Sequence, residues 1–358
     1  MMLRIDRYIM QQFMTGLVPV LFLLLALFSF LALAEELEDV GQGAFTLPDA
    51  LMVVFLTTPK RIVELLPVTA LLGGLLGLGA MANHREIIAI RTSGISKQHI
   101  AKIVSVLAIM LGIFITVLQF SVVPGFEREA AQLRGKTLQG PGQGANITGG
   151  LWTRDGAYFI HINEVQFDRS LVDVEIYAID EQGRLSQLIQ ASRADYTGDG
   201  NWQLSGLTHS ELQQTRAQET GKTSMQWKNL LSPEQASILM LPLQALAPDD
   251  LVKMIANLKR NQLDTHQYEI VLWQQVSLLS GLLAMALLSL PLLLGSVRTV
   301  SASQRVMIGG LIGIGFYLVQ QLSGHLAGIL GMNPVLVILT PPFIILAVAI
   351  AAIRHRSL

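Results

Sequence analysis

The sequence predicts an α-helical membrane protein with six transmembrane helices and an all-β, jelly-roll-like domain inserted between the third and the fourth. Three observations predict it. Hydrophobic residues make up 51% of the 358 residues and charged ones only 14%, against roughly 25% charged in soluble domains; mean hydropathy is +0.49. Apolar runs near the roughly 20 residues that span a bilayer recur at 13–34, 62–82, 100–123, 270–294, 306–330 and 334–353. Between the third and fourth runs lies a polar segment, 124–262, long enough to fold on its own, so the expected division is 1–123, 124–262 and 263–358.

Basic residues set the orientation. With the N-terminus inside, the inner segments hold Arg4, Arg7, Arg85, Arg91, Lys97, Lys102, Arg298, Arg305, Arg354 and Arg356, and their only acids are Asp6 and Glu86. The first outer loop, Glu35-Glu36-Leu37-Glu38-Asp39, has no basic residue. Both termini are therefore expected inside and the polar insert outside. Ala32-Leu33-Ala34 resembles a signal cleavage site, but the run before it exceeds a usual signal core, so the first helix is expected to be retained.

Taken in order, the first span follows a short amphiphilic lead-in, and Pro19 is placed to kink it. Asp49 or Thr46 is a cap candidate for the next helix. A continuous helix over 51–82 would reach about 48 Å at roughly 1.5 Å per residue, more than the membrane core, so its start should project outward. Counting back from Ala82 puts Lys60 about 33 Å from the inner end, at headgroup depth. Two readings fit Lys60 and Arg61: snorkelling or ion pairs with Glu64, and contact with a phosphate. Gly73-xxx-Gly77, Ala70-xxx-Gly74, Gly309-xxx-Gly313 and Gly324-xxx-Gly328 are small-residue faces that allow close helix approach, within the chain or between chains.

The segment 85–94 is too short to span a bilayer and reads as a helix ended near Gly94. Ile87 and Ile90 share a face that Ile88 does not, and Arg85, Glu86 and Arg91 surround them. That pattern suits a protein groove better than a lipid surface; a solvated turn is the plainer reading. Beyond the third span, Arg128, Arg134 and Lys136 lie in a charged stretch, and 140–144 is a glycine-rich break. Strand-like runs follow at 151–165, 172–180, 185–196, 202–208 and 222–227, punctuated by Asp155-Gly156, Gln182-Gly183 and Gly198-Asp199-Gly200. Asp249 is expected to cap a helix reaching about Asn261.

Chemistry is scarce in this chain. The absence of cysteine excludes disulfides and thiolate sites. The triplets Gly135-Lys136-Thr137 and Gly221-Lys222-Thr223 lack the upstream glycine of a phosphate loop, with Ala130 and Arg216 in its place. The histidines form no ligand cluster in sequence, and Ser323 and His325 point in different directions on one helix. Apart from Glu64, the spans hold almost no buried charge, which disfavours a proton- or sodium-driven carrier. Energy should come from a partner.

Pro59-Lys60-Arg61, the run Leu71-Leu72-Gly73-Gly74-Leu75-Leu76-Gly77-Leu78-Gly79, and Arg85-Glu86 with Ser93-Gly94 together resemble the lipopolysaccharide export permease family LptF/LptG, over essentially the whole chain. Gly41-Gln42-Gly43, Pro59-Lys60 and Gly150-Leu151-Trp152-Thr153-Arg154-Asp155-Gly156 look closer to the LptG branch. The resemblance implies a non-catalytic permease subunit of an ABC exporter in the bacterial inner membrane, with cytoplasmic termini and a periplasmic β-domain that guides acyl chains. It implies an LptF-like paralogous permease as partner, with the first and fifth spans as lateral gates. Two copies of the LptB ATPase would hold ATP and magnesium, and the single-span LptC would begin the bridge toward the outer membrane. Lipopolysaccharide is the implied cargo; no cofactor in this chain and no nucleic acid partner are expected. The segment 85–94 matches the family's coupling helix, with Arg85, Glu86, Ile87, Ile90, Arg91, Ser93 and Gly94 as ATPase-coupling residues. Lys60 and Arg134 match basic positions implicated in phosphate contact, and Arg61 and Arg128 join them as substrate candidates; Ala131 stands where a second basic residue can occur. From a different class, the alternative is a non-transporting scaffold whose β-domain binds envelope-assembly proteins. A stand-alone secondary transporter ranks third.

Overall fold

The computed structural model describes residues 2–138, 145–155, 158–166, 170–180, 184–198, 200–213, 216–228, 230, 243, 246–295 and 302–355. The break at 140–144, the turn residues Gly156, Gln182, Gly183 and Asp199, and Arg298 and Arg356 lie outside the described residues. The chain divides into two compact units: Met1–Ala34, Thr57–Val123 and His266–Leu358 form one, Glu35–Leu56 and Pro124–Thr265 the other.

Six described helices are long and apolar enough to cross a membrane: Arg4–Leu37, Thr58–Asn83, Lys97–Leu138, His266–Leu293, Ser303–Leu330 and Pro334–Arg354. They coincide with the six expected runs. In element terms these are α1 (Met2–Leu37), α3 (Thr58–Asn83), α5 (Lys97–Val117) with α6 (Val123–Leu138), α8 (His266–Gly295), α9 (Ala302–Leu330) and α10 (Pro334–His355); α2 (Leu47–Leu56) and α4 (Glu86–Thr92) flank α3, and α7 (Pro248–Arg260) precedes α8. Five residues of wider π-helix, Leu118–Val122, join α5 to α6. They sit just before Pro124, which has no N–H to continue the α-helical ladder.

The expected continuous helix over 51–82 does not form. α2 ends at Leu56 and α3 begins at Thr58. Pro59 explains the break: in a continuous helix its ring would clash with the carbonyl of Phe55, whereas a proline at the second position of a new helix forfeits no hydrogen bond. At the start of α2 both cap candidates take part, because the Asp49 carboxylate accepts from the Thr46 N–H at 2.9 Å and from the Thr46 hydroxyl. These bonds hold the Asp49 carboxyl below its ordinary pKa.

α3 is the most enclosed span. It packs against α8 and α9, while α8 also packs against α10 and α5. Water is excluded on both sides of such contacts, so close packing rather than hydrophobic transfer holds them. The glycine faces serve contacts inside this chain. A Cβ at Gly16 of α1 would overlap the Gly73 carbonyl oxygen, and one at Gly77 would overlap the Gln12 carbonyl. Beside that crossing, a Cβ at Gly74 would lie 2.6 Å from Ser289 Oγ of α8 and 2.8 Å from the Phe13 ring of α1. Gly309 and Gly313 of α9 meet Leu75 and Val68 of α3, and Gly324 meets Gln274 of α8. Gly16 is thus the α1 half of this backbone-to-backbone crossing.

In the second unit, β1 (Ala145–Asp155), β2 (Tyr158–Val165), β3 (Leu171–Ile179), β4 (Leu185–Gly198), β5 (Asn201–Gln213) and β6 (Arg216–Lys228) form one six-stranded antiparallel sheet in sequential order. The all-β expectation is met, and its strand order among the described residues is a simple meander, without the crossing connections of a Greek key. The run 151–165 is two strands, because Asp155 pairs with Tyr158 across a hairpin. One sheet face buries Ile160, Ile162, Val174, Ile176, Ile189 and Ala191. The other carries the cross-strand row Trp152, His161, Glu175 and Gln190, with Trp152 stacked on His161 at a ring separation of 4.5 Å. Tyr177 donates to Glu175 Oε2 at 2.6 Å. That bond pushes the Tyr177 phenol up to about 12 and, as the main cause, holds the Glu175 carboxyl below its usual range.

α7 begins at Pro248 with Ala247 at its cap position, so Asp249 is not the cap. Pro248 takes the first helical position, where it suits the helix best. Asp249 and Asp250 fall in the first turn instead, where their charge complements the helix dipole. Leu251, Met254, Ile255 and Leu258 form its buried stripe.

Gly77→Leu should force α1 from α3 and lower the thermal midpoint of the purified chain in detergent, at a cost of at least about 3 kcal/mol, since backbone rather than side chain must yield. Gly310→Ala, with nothing within 4 Å of its added Cβ, should leave that midpoint unchanged.

Candidate functional site

Three groups of the predicted residues can be followed upward from their helices. Lys60 stands in the first turn of α3, half-buried, and makes no ion pair or hydrogen bond among the described residues. The Lys60–Glu64 pair weighed from sequence is therefore not formed, while Arg61 and Glu64 are both engaged. Helix spacing brings Lys60 and Glu64 to one face, but that spacing does not oblige long side chains to meet.

Arg128 and Arg134 lie on α6. Arg128 Nη2 is 3.7 Å from Asp250 Oδ2, a loose pair with the arginine 44% exposed. Arg134 is held far more firmly. Its Nε donates to Glu36 Oε2 at 3.2 Å and its Nη2 to Glu36 Oε1, a two-pronged bond to a nearly buried carboxylate. Nearby, Ala44 donates its N–H to the Thr137 carbonyl at 2.7 Å. Gly43, at φ +57, passes so close to the Thr137 carbonyl that a Cβ there would sit 2.5 Å from it, which gives the Gly41-Gln42-Gly43 loop its physical reason.

α4 is the short inner helix expected over 85–94. Arg85 opens it at φ 60, a left-handed backbone for a non-glycine residue. Gly94, at φ 95, closes it, and the Ser93 hydroxyl donates to the Ile90 carbonyl at 2.7 Å. Ile87 is only 6% exposed and joins the membrane core, with Ile90 packed behind it. These two side chains are anchors turned into this chain. Ile88 is 51% exposed, and Arg85, Arg91, Ser93 and Gly94 are exposed as well.

Side-chain ties that the sequence did not signal hold the inner end. The Tyr8 hydroxyl donates to Glu86 Oε2 at 2.8 Å. His99 Nε2 lies 2.9 Å from Asp6 Oδ1, and buried Arg305 donates to Asn83 Oδ1 at 2.7 Å. α1 and α9 are thereby fastened to the ends of α5 and α3 that flank α4. No local pattern announces bonds between residues 78, 93 and 222 positions apart.

The family comparison adds a chain-long likeness. Residues 7–355 match the family model described as lipopolysaccharide export system permease LptF/LptG. The lipopolysaccharide export system permease protein LptG of Haemophilus influenzae is 29% identical over 338 residues, 94% of this chain and 94% of that protein. The protein of the same name from Escherichia coli strain K12 is 29% identical over 356 residues, 99% of this chain and 98% of the other.

Arg85→Gly should keep or raise the thermal midpoint of the purified chain, because glycine adopts positive φ without strain. Arg85→Val should lower it, by on the order of 1 kcal/mol.

Proposed function

The chain belongs to the LptF/LptG family of lipopolysaccharide export permeases, and on that premise we propose that it forms one half of an ATP-driven exporter that lifts lipopolysaccharide out of the inner membrane toward a periplasmic bridge. The observation that carries the energy-coupling part is α4: anchored from inside by Ile87 and Ile90, it turns Arg85, Ile88 and Arg91 outward. A helix merely lying on lipid would direct its apolar side chains outward together.

In this reading the paralogous permease completes the cavity. Two copies of a partner ATPase hold ATP and magnesium, and a single-span protein receives the lipid. Both termini and α4 face the cytoplasm and the β unit faces the periplasm, as the distribution of basic residues supports. Closure of the ATPase pushes α4 and, through it, α3. Because the backbones of α1 and α3 touch at Gly16, Gly73 and Gly77, the inner half of α1 follows. Only its outer half, where Phe22, Leu23, Leu27 and Phe30 are exposed, is left to act as a gate beside the paralogue. Lys60, at the outer end of α3, is a cation awaiting a counter-ion, and a lipid phosphate supplies one. Arg61, Arg128 and Arg134 are further candidate phosphate contacts.

Purification from the native membrane in mild detergent, with every co-purifying protein identified by mass spectrometry, tests the whole reading. An ATPase at two copies with one related six-span chain supports export. A chain that comes alone, or only as its own oligomer, overturns it in favour of a scaffold.

Lys60→Asp should cut lipopolysaccharide release from proteoliposomes at least tenfold, a loss of about 1.4 kcal/mol, while Lys60→Arg keeps most of it; full activity in both removes the phosphate contact. At the other end, Ile88→Asp and Glu86→Arg should each weaken retention of the ATPase during purification and lower ATP turnover. Unchanged assembly and turnover in both would dissociate α4 from docking.

A further inference from the structure

Arg134 already has a full counter-charge in Glu36. The Glu36 side chain is 9% exposed and the Arg134 side chain 37%, so the carboxylate is the more deeply buried partner and the arginine stays partly open to its surroundings. Arg128 has only a pair at 3.7 Å, and Lys60 has none among the described residues. Glu36 stands in the last turn of α1, within the acidic run Glu35-Glu36-Leu37-Glu38-Asp39.

We propose that Glu36 is a specificity-determining residue, whose carboxylate occupies Arg134 in the resting chain so that only a doubly charged phosphate displaces it. The inference rests on the export reading and deepens it by naming the class of headgroup selected, a lipid-borne phosphate monoester. A phosphate monoester carries about −1.5 to −2 charges at pH 7 and three strong acceptor oxygens. Planar guanidinium prefers such a partner, which it binds through two parallel hydrogen bonds. A carboxylate or a singly charged phosphodiester offers no more charge than Glu36 already does, and exchange gains nothing. An uncharged headgroup leaves the pair closed.

The same geometry shows why truncating Arg134 is a poor test. It would strand a buried carboxylate without its cation, and such losses destabilise folds by about 3–5 kcal/mol. Glu36→Gln instead removes the competing charge and keeps a carbonyl oxygen that accepts from the guanidinium.

The experiment uses the full complex in detergent and two probes, diphosphoryl lipid A and the same lipid stripped of both phosphates, with affinities read by displacement of a fluorescent lipid. Glu36→Gln should tighten binding of the diphosphoryl probe on the order of tenfold, about 1.4 kcal/mol, and leave the stripped probe within about twofold. Glu36→Asp, which keeps the charge, should behave as the wild type. An equal shift for both probes, or none for either, overturns the proposal while the export reading stands. Inorganic phosphate that abolishes the gain at millimolar concentration would assign the site to free phosphate and overturn the lipid assignment. Should Glu36→Gln fail to assemble, Glu36→Arg combined with Arg134→Glu restores the pair in reverse: loss of preference for the diphosphoryl probe supports the proposal, and retention overturns it. Wild-type complex that binds neither probe overturns the export reading and this proposal with it.

Discussion

Backbone contact between α1 and α3 is the constraint on which the membrane unit depends. Lipid tails are as apolar as leucine, so spans gain little by hiding apolar side chains from one another, and association rests on how closely helices approach. Gly16 against Gly73 and Gly77 gives the nearest approach described here. The adjoining Gly74 of α3 takes Ser289 of α8, and Leu75 and Val68 fill the spaces over Gly309 and Gly313 of α9. A span so enclosed has no freedom to shift alone. Whatever displaces α3 displaces its neighbours.

That constraint gives α4 its meaning. A seven-residue helix is marginal by itself, and this one is held by burial of Ile87, by the Tyr8–Glu86 bond and by the turns at Arg85 and Gly94. Its exposed side is consequently fixed to the core through Ile87. The bonds of Asp6 to His99 and of Asn83 to Arg305 extend the grip to α1 and α9. In the other unit charge is managed by pairing, with Glu36 on Arg134 and Asp250 beside Arg128. A cluster of basic residues in sequence is thus not a cluster of available cations.

The legible parts were those decided by short-range pattern. Apolar runs announced all six spans, because a backbone in lipid must satisfy its own hydrogen bonds and does so as a long helix. Alternation announced the strands, although 151–165 concealed a hairpin and β1 began earlier than its apolar residues did. Pro59 and Pro248 were visible, yet the broken helix at Thr57 and the displaced Asp249 were missed, because one proline permits either a kink or a fresh start. Gly94 was read correctly as a helix stop.

By itself the sequence determined the number of spans, the inserted β unit, the short inner helix and the small-residue faces, since each follows from hydropathy, period or backbone freedom within a few residues. Tertiary structure alone decided that Ile87 points inward while Ile88 points outward, that Gly16 meets Gly73, and that Glu36 claims Arg134 from 98 positions away while Lys60 stays unclaimed among the described residues. The physical reason is range. Local conformation is set by neighbours along the chain, but the partner of a charge or a glycine is whichever group the folded helices bring against it.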